Sequence, residues 1–212
     1  MIKVYSIRVS VFSTNCYLVQ NSDTKEGFLI DPGDYEEKIL DLLTEKEVKL
    51  TGIYLTHGHL DHIMAADRIR EEYHVPVYCH EEELSVLTDS IQNLTARFMR
   101  QPYILKGAEG LMDDFRFTAA ETQVQLIHTP GHTPGGCCYY LPEAGILFSG
   151  DTLFYRSIGN TEFPGGSMGT LSRSIREKLY TLPEETRVYA GHGESTDIGT
   201  EKCENPFVPS LE

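Results

Sequence analysis

The chain has 212 residues, of which 40% are hydrophobic and 24% charged, and its formal net charge is −14. That length can bury one sizeable core, so a single domain over residues 1–212 is expected. The acidic balance repels phosphodiester backbones, which disfavours a nucleic-acid partner.

No apolar run approaches the roughly 20 residues needed to span a bilayer, so no membrane partner is expected. The start, Met1-Ile2-Lys3-Val4-Tyr5, shows neither the apolar run nor the cleavage site of a signal peptide. A cytoplasmic location is therefore expected. The five cysteines (Cys16, Cys79, Cys137, Cys138 and Cys203) are odd in number and irregularly spaced. They read as buried, reduced thiols.

Along the chain, Ile2–Val9 and residues 15–20 and 27–30 are rich in Val, Ile, Tyr and Phe and read as strands. Asn21-Ser22-Asp23 makes a turn, and Asp31-Pro32-Gly33 stops the third strand. The spacing of Ile39, Leu42 and Leu43 predicts a helix over residues 35–47. Residues 52–55 form a short apolar strand. A helix with Ile63, Met64 and Ile69 on one face follows residue 62, and residues 75–79 form the next strand. Residues 81–105 carry Leu84, Leu87, Leu94, Phe98 and Met99. They are expected to be a helical cap, either packed on the sheet or acting as a lid. Further strands fall at 124–128, Cys137–Leu141, 145–148 and 188–190. A helix is expected over 170–180, with Ser172 or Thr170 as its cap.

Between strand 52–55 and the next helix lies Thr56-His57-Gly58-His59-Leu60-Asp61-His62. Four metal-capable side chains fall within six residues. His132, Asp151 and His192 follow at wide intervals, each beside a glycine and each after a predicted strand. Imidazole and carboxylate together suit Zn²⁺, with Fe or Mn as alternatives, and seven donors suit two divalent ions better than one. Gly58 lets the backbone turn tightly. His57 and His59 can then face one ion while the adjacent Asp61 and His62 face the other. Asp151 is the candidate bridge, because a carboxylate has two oxygens to share. The pattern is not H-E-x-x-H, so the helical metalloprotease arrangement does not apply.

These motifs, in this order, resemble those of the metallo-β-lactamase superfamily over nearly the whole chain. The resemblance implies an α/β fold, a four-layer αβ/βα sandwich with the metals at one edge. It also implies that Asp31, in Asp31-Pro32-Gly33, orients a ligand histidine from behind. Within the superfamily the chain is similar to the short glyoxalase II-like, or hydroxyacylglutathione hydrolase-like, group. The supporting segments are Gly131-His132-Thr133-Pro134-Gly135, Gly150-Asp151-Thr152-Leu153-Phe154, Ser157-Ile158-Gly159, Phe163-Pro164-Gly165-Gly166 and the tail from Gly191-His192-Gly193 to Asn205-Pro206-Phe207. Asn160 and Glu162 depart from the group's usual arginine and aspartate. Asp151 weighs against a β-lactamase proper.

The expected activity is hydrolysis of a small thioester such as a hydroxyacyl-glutathione. Two ions would share a water and lower its pKa, and the resulting hydroxide would attack the carbonyl. Asp61 is the candidate catalytic residue, holding that hydroxide by a hydrogen bond. A thiolate leaves readily near neutral pH, so no dedicated general acid is required. Phe154, Tyr155, Arg156 and Asn160 are the candidate substrate contacts, with Arg156 able to fork onto a carboxylate. The alternative is a mononuclear iron enzyme resembling the persulfide dioxygenases, with His57, His132 and Asp151 as a two-histidine, one-carboxylate triad.

Overall fold

Alternation along the strands sorts the side chains into layers. In the second strand Cys16 and Leu18 face one way while Tyr17 and Val19 face the other. In the third, Leu29 opposes Phe28 and Ile30. All are buried, so this sheet is covered on both faces.

The computed structural model describes residues 1–209. Strands β1 (Ile2–Val9), β2 (Thr14–Asn21) and β3 (Glu26–Ile30) run antiparallel. Strands β4 (Lys49–Tyr54), β5 (Val77–His80) and β6 (Glu109–Leu111) then add in parallel, giving the order β1-β2-β3-β4-β5-β6. Helices α1 (Glu36–Glu45), α2 (Leu60–Ile63) and α3 (Ala66–Tyr73) fill the crossovers around β4. Ile39 and Leu43 of α1 and Ile69 of α3 pack on Leu18, Leu29 and Ile53 of the sheet.

The second sheet contains β7 (Arg116–Ala119), β8 (Thr122–His128), β9 (Cys137–Leu141) and β10 (Ile146–Gly150). After the small hairpin of β11 (Leu153–Phe154) and β12 (Ser157–Ile158) come β13 (Arg187–Ala190) and β14 (Thr196–Asp197), giving the order β14-β13-β10-β9-β8-β7. Tyr139, Leu126 and Phe148 face the first sheet across Phe28 and Tyr54. Cys138, Tyr140 and Leu147 face the opposite way, onto Leu171 and Ile175 of the last long helix and Ile198 of the terminal one. Three apolar interfaces separate four layers, which is the αβ/βα sandwich.

Three predicted elements need correction. The helix expected after residue 62 is broken: Ile63 closes α2, Met64 lies in the turn that follows, and Ile69 belongs to α3. Residues 81–105 do not form one helix. They contain a single 3₁₀ turn (Glu81–Glu83) and two one-turn helices, α4 (Leu84–Leu87) and α5 (Thr95–Phe98), separated by turns. Leu94 sits at φ 68, in the left-handed region, which ends any continuing helix. Polar side chains then hold the segment together: Asn93 Nδ2 and Thr95 Oγ1 both donate to the Tyr103 carbonyl, at 2.9 and 2.7 Å. Its buried Val86, Leu87, Leu94 and Leu105 anchor it to the body of the protein.

The helix expected over 170–180 is α6 (Met168–Glu177), followed by α7 (Ile198–Glu204). Ser167 caps α6, accepting from the Thr170 N–H at 3.3 Å, in place of Ser172 or Thr170. The apolar stripe of Leu171 and Ile175 begins one turn after the helix does, so periodicity alone starts it late. Four of the cysteines are buried as expected, whereas Cys203 is exposed. No helix among the described residues is long and apolar enough to cross a membrane.

Replacing Ser167 with Ala removes the α6 cap and is expected to cost about 1 kcal/mol in urea unfolding. An unchanged midpoint would show that the cap does not support the helix.

Candidate metal centre

The seven predicted donors converge on one edge of the sandwich, five delivered by segments that follow strands and two by a short helix. β4 leads into His57 and His59, and Asp61 and His62 lie in α2. His132 follows β8, Asp151 follows β10 and His192 follows β13. Three overlapping groups have donor atoms within 4.8 Å of one another: His57, His59 and His132; His57, His62 and Asp151; and Asp61, His62 and His192. Asp151 stands between the outer sets. Its Oδ1 is 3.5 Å from His62 Nε2, and its Oδ2 is 3.5 Å from both His132 Nε2 and His192 Nε2. Asp61 Oδ2 lies 3.3 Å from His192 Nε2 and 3.6 Å from His62 Nε2.

The backs of the His57, His62 and His132 rings are held by hydrogen bonds that fix which nitrogen faces inward. His132 Nδ1 donates to the Asn160 carbonyl at 2.6 Å, which leaves Nε2 as a lone pair. The Thr56 hydroxyl donates to Asp31 Oδ2 at 2.6 Å, so it can only accept from His57 Nδ1, 3.2 Å away. His57 Nε2 is then a lone pair too. It faces His132 Nε2 at 3.2 Å, and His59 Nδ1 faces the same atom at 2.9 Å. Burial and mutual repulsion among the imidazoles push His57 and His59 well below the usual histidine range, and burial lowers His132. Opposed neutral lone pairs at this distance repel one another unless a cation stands between them. His62 Nε2 and Asp151 Oδ1 are also buried with no hydrogen-bond partner among the described residues. This donor set fits divalent cations.

Asp31 lies behind the cluster, 1% exposed. Its Oδ2 accepts from His62 Nδ1 at 2.9 Å, and its Oδ1 accepts from the Thr56 N–H at 2.7 Å. Asp61 accepts from Thr14 Oγ1 at 2.6 Å, which ties the motif to the start of β2. Asn15 fastens the His192 loop by donating to the carbonyls of Ala190 and Gly193 at 3.0 and 3.1 Å. Gly191 is required beside the cluster, because a Cβ there would lie 2.3 Å from Asp151 Oδ1 and 2.8 Å from His62 Cε1.

One positioning residue is hidden in the sequence. Glu83 is fully buried and accepts from the Gly58 N–H at 2.7 Å, the Gly135 N–H at 2.8 Å and Thr133 Oγ1 at 3.0 Å. It thereby joins the His57–His59 loop to the His132 loop. Burial pushes its carboxyl up to about 7, against the pull of those three donors. In the run Glu81-Glu82-Glu83 it looks like solvated charge, which is why sequence reading passes over it.

The four predicted substrate contacts fare differently from the donors. A cavity of about 140 Å³ above the cluster is lined by Phe12, Leu94, Phe98 and Phe163 together with cluster residues, and by none of the four. Phe154 packs its ring 6.0 Å from that of His192. Asn160 spends its carbonyl on His132 and its Oδ1 on the Glu162 N–H. Tyr155 and Arg156 occupy the turn of the β11–β12 hairpin, with Arg156 at φ 51. The Arg156 guanidinium is ion-paired with Glu204, and the Arg156 backbone N–H donates to the Glu201 carboxylate. That half-exposed pair competes with a substrate carboxylate for the Arg156 guanidinium.

The family model of the metallo-β-lactamase superfamily matches residues 9–192. This chain belongs to that superfamily. A Haemophilus influenzae relative named hydroxyacylglutathione hydrolase GloC is 36% identical, over 96% of this chain and 97% of its own. Among solved structures, BLEG-1 B3 metallo-β-lactamase superposes with a TM-score of 0.92 at 38% identity, covering 97% of this chain and 99% of its own. TTHA1623 in a di-iron-bound form gives 0.86 at 34%, covering 96% and 99%. ETHE1 from Myxococcus xanthus gives 0.80 at 29%, covering 97% and 84%.

Two outcomes are expected. Replacing Glu83 with Ala strands buried donors and is expected to cost about 3 kcal/mol in denaturant unfolding and to weaken cation binding in a competition titration. A variant matching the wild type in both would remove Glu83 from the support of the centre. The second outcome concerns protons. Although burial opposes it, Asp61, Asp151 and Asp31 push His62 up to about 10 in the cation-free protein. A cation arriving at His62 Nε2 displaces that proton, so affinity rises with pH up to about 10. Calorimetry near pH 8 in buffers of different ionisation enthalpy is expected to read release of about one proton from His62. A buffer-independent heat would exclude His62 as a ligand.

Proposed function

We propose that this protein is a metal-dependent hydrolase of small thioesters, with His57, His59 and His132 holding one divalent cation, Asp61, His62 and His192 a second, and Asp151 bridging them. The observation that carries this reading is the position of Asp151 between the two donor sets: its Oδ2 lies 3.5 Å from His132 Nε2 of one set and from His192 Nε2 of the other, and its Oδ1 lies 3.5 Å from His62 Nε2. The similarity to a protein named as a hydroxyacylglutathione hydrolase supports the substrate class. Zn²⁺ suits these donors, and the di-iron form of TTHA1623 keeps iron in view.

Bound there, such a pair of cations supplies an activated water and a positive charge for the developing oxyanion. The protein's own part is to hold and orient. Asp61 Oδ2 accepts from Thr14, which holds the carboxylate facing His192 and leaves Oδ1 to direct a water. Asp31 and the Asn160 carbonyl keep His62 and His132 in the tautomers that point lone pairs inward. Phe12, Leu94, Phe98 and Phe163 restrict bulk water at the cluster and leave an apolar approach for the substrate. No side chain lining the cavity is placed as a dedicated proton donor to a leaving group, which suits a thiolate.

His132 Nε2 lies 3.2 Å from His57 Nε2 and 3.5 Å from Asp151 Oδ2, so these three residues also offer the two-histidine, one-carboxylate set of a mononuclear iron dioxygenase, and the likeness to ETHE1 favours testing it. One experiment separates the readings. Elemental analysis of purified protein is paired with a panel of thioesters, a β-lactam and glutathione persulfide under oxygen. Two equivalents of metal with thioester turnover are expected. Replacing Asp151 with Ala should abolish both. A single iron with oxygen uptake on the persulfide would overturn the thioesterase reading, as would turnover confined to the β-lactam.

A further inference from the structure

The cavity over the cluster continues outward. A second space of about 270 Å³ shares Phe12, Leu60, Asp61 and Phe98 with it and is walled further by Val11 and Met99. Phe12 and Phe98 meet edge to face at 5.7 Å where the two spaces join. They come from distant parts of the chain, the β1–β2 turn and α5, yet remain 43% and 48% exposed. Two large aromatic side chains held half out of water beside a cluster of buried donors form a binding surface for an apolar group.

The charge at this mouth is uneven. Asp34 lines the outer space, and Asp61 lies between the two. The cation nearby is Arg97, next to Phe98. Its guanidinium lies 5.3 Å from the Phe98 ring and 5.9 Å from the Phe163 ring, over the wall of the inner cavity. Phe163 in turn packs on His59, with ring centroids 5.5 Å apart. The Arg97 guanidinium has no ion pair or hydrogen bond among the described residues, so nothing there competes with a ligand for it, unlike the guanidiniums of Arg68, Arg70, Arg116 and Arg156; Arg8, Arg100 and Arg173 are likewise without a carboxylate partner there. Stacking on two rings leaves the edge of a guanidinium open for a forked contact to a carboxylate.

We propose that the two joined spaces bind the non-reacting part of the substrate, and that they select a small thioester carrying both an apolar group, held between Phe12 and Phe98, and a carboxylate, held by Arg97. This deepens the thioesterase reading and rests on it for the word thioester alone. The apolar group follows from the walls of the two spaces, and the anion from Arg97, which lies over the Phe163 ring beside them.

The test reads binding as well as turnover. The metal-loaded protein is titrated calorimetrically with a non-hydrolysable thioether acid, S-benzylthioglycolate, and with its neutral amide. Replacing Arg97 with Met is expected to weaken the acid at least tenfold, which is about 1.4 kcal/mol, and to leave the amide within about twofold. Arg97→Lys should recover part of the loss, and bound metal should be unchanged in both variants. Phe98→Ala should weaken acid and amide alike. An acid that binds equally well to Arg97→Met would overturn the assignment, because its carboxylate would then be meeting the cations directly. Equal loss of both ligands, or a wild-type protein that binds neither at millimolar concentration, would overturn it as well. If wild-type protein binds the acid through Arg97 but hydrolyses no thioester, the binding site stands and the proposed reaction falls. If thioesters turn over with a KM indifferent to Arg97, the reaction stands and this site falls.

Discussion

The structure depends on one electrostatic constraint, the convergence of unprotonated imidazole nitrogens and carboxylate oxygens on a small volume. Unaided, that arrangement is repulsive. His57 Nε2 and His132 Nε2 stand 3.2 Å apart, and each has its proton committed to the opposite side of the ring. The repulsion is tolerated because the backs of the rings are tied into the fold through Asp31, Thr56 and the Asn160 carbonyl. The centre is preorganised by what lies behind it, and a cation completes it. Around His62 the field has the opposite sign. Three carboxylates face one imidazole, which keeps a proton there in place of a metal. The same cluster therefore favours positive charge at one end through carboxylates and at the other through lone pairs.

Such an arrangement requires rigid delivery. His57 and His59 follow β4, His132 follows β8, Asp151 follows β10 and His192 follows β13, and each of these strands carries buried residues near its end (Ile53, Ile127, Phe148 and Ala190), so the strand ends cannot drift without disturbing a core interface. Cross-links then join the two halves of the sandwich at the level of the site. Asn15 and Tyr17 of β2 donate to carbonyls beside β13, and Cys137 N–H donates to the Thr56 carbonyl at 2.8 Å. Glu83 adds a buried clamp between the two histidine loops. Because these ties run between layers, the packing of the sandwich and the geometry of the centre are coupled. A core substitution far from the cluster that shifts one sheet against the other would move its donors apart.

How much of this is legible in the sequence follows from the physics of each part. The strands and the donor motif are legible because both are local. Alternating burial writes a period of two, and metal ligation restricts residue type at fixed spacing. Asp31 is read from the resemblance, and its carboxylate accepts from His62 Nδ1. The segment 81–105 misleads, because Leu84, Leu87, Leu94 and Phe98 fit helical spacing while the backbone turns at Leu94 and is held by Asn93 and Thr95. Propensity carries no information about those tertiary hydrogen bonds. Glu83 is missed because a buried carboxylate and a solvated one have the same letter. The Arg156 pairing is missed for a related reason: Glu204 lies 48 residues away, and only the fold brings the two together.

The separation between centre and cavity reflects two different physical demands. Cation ligation tolerates little displacement, so the donors sit after strands or in a short helix, and beside glycines that admit no side chain. Recognition of an apolar group demands area more than precision. It is met by side chains from the β1–β2 turn and the 81–105 segment, where Phe12, Leu94 and Phe98 can differ in size without disturbing a ligand. The overall charge of −14 fits this division. On the proposed reading, an acidic surface would repel an anionic substrate everywhere except where cations are concentrated, and the cluster once loaded with metal, together with Arg97, whose guanidinium has no ion pair among the described residues, would form such a place. Attraction confined to one mouth orients an anion as it arrives, so charge and shape act on the same end of the molecule.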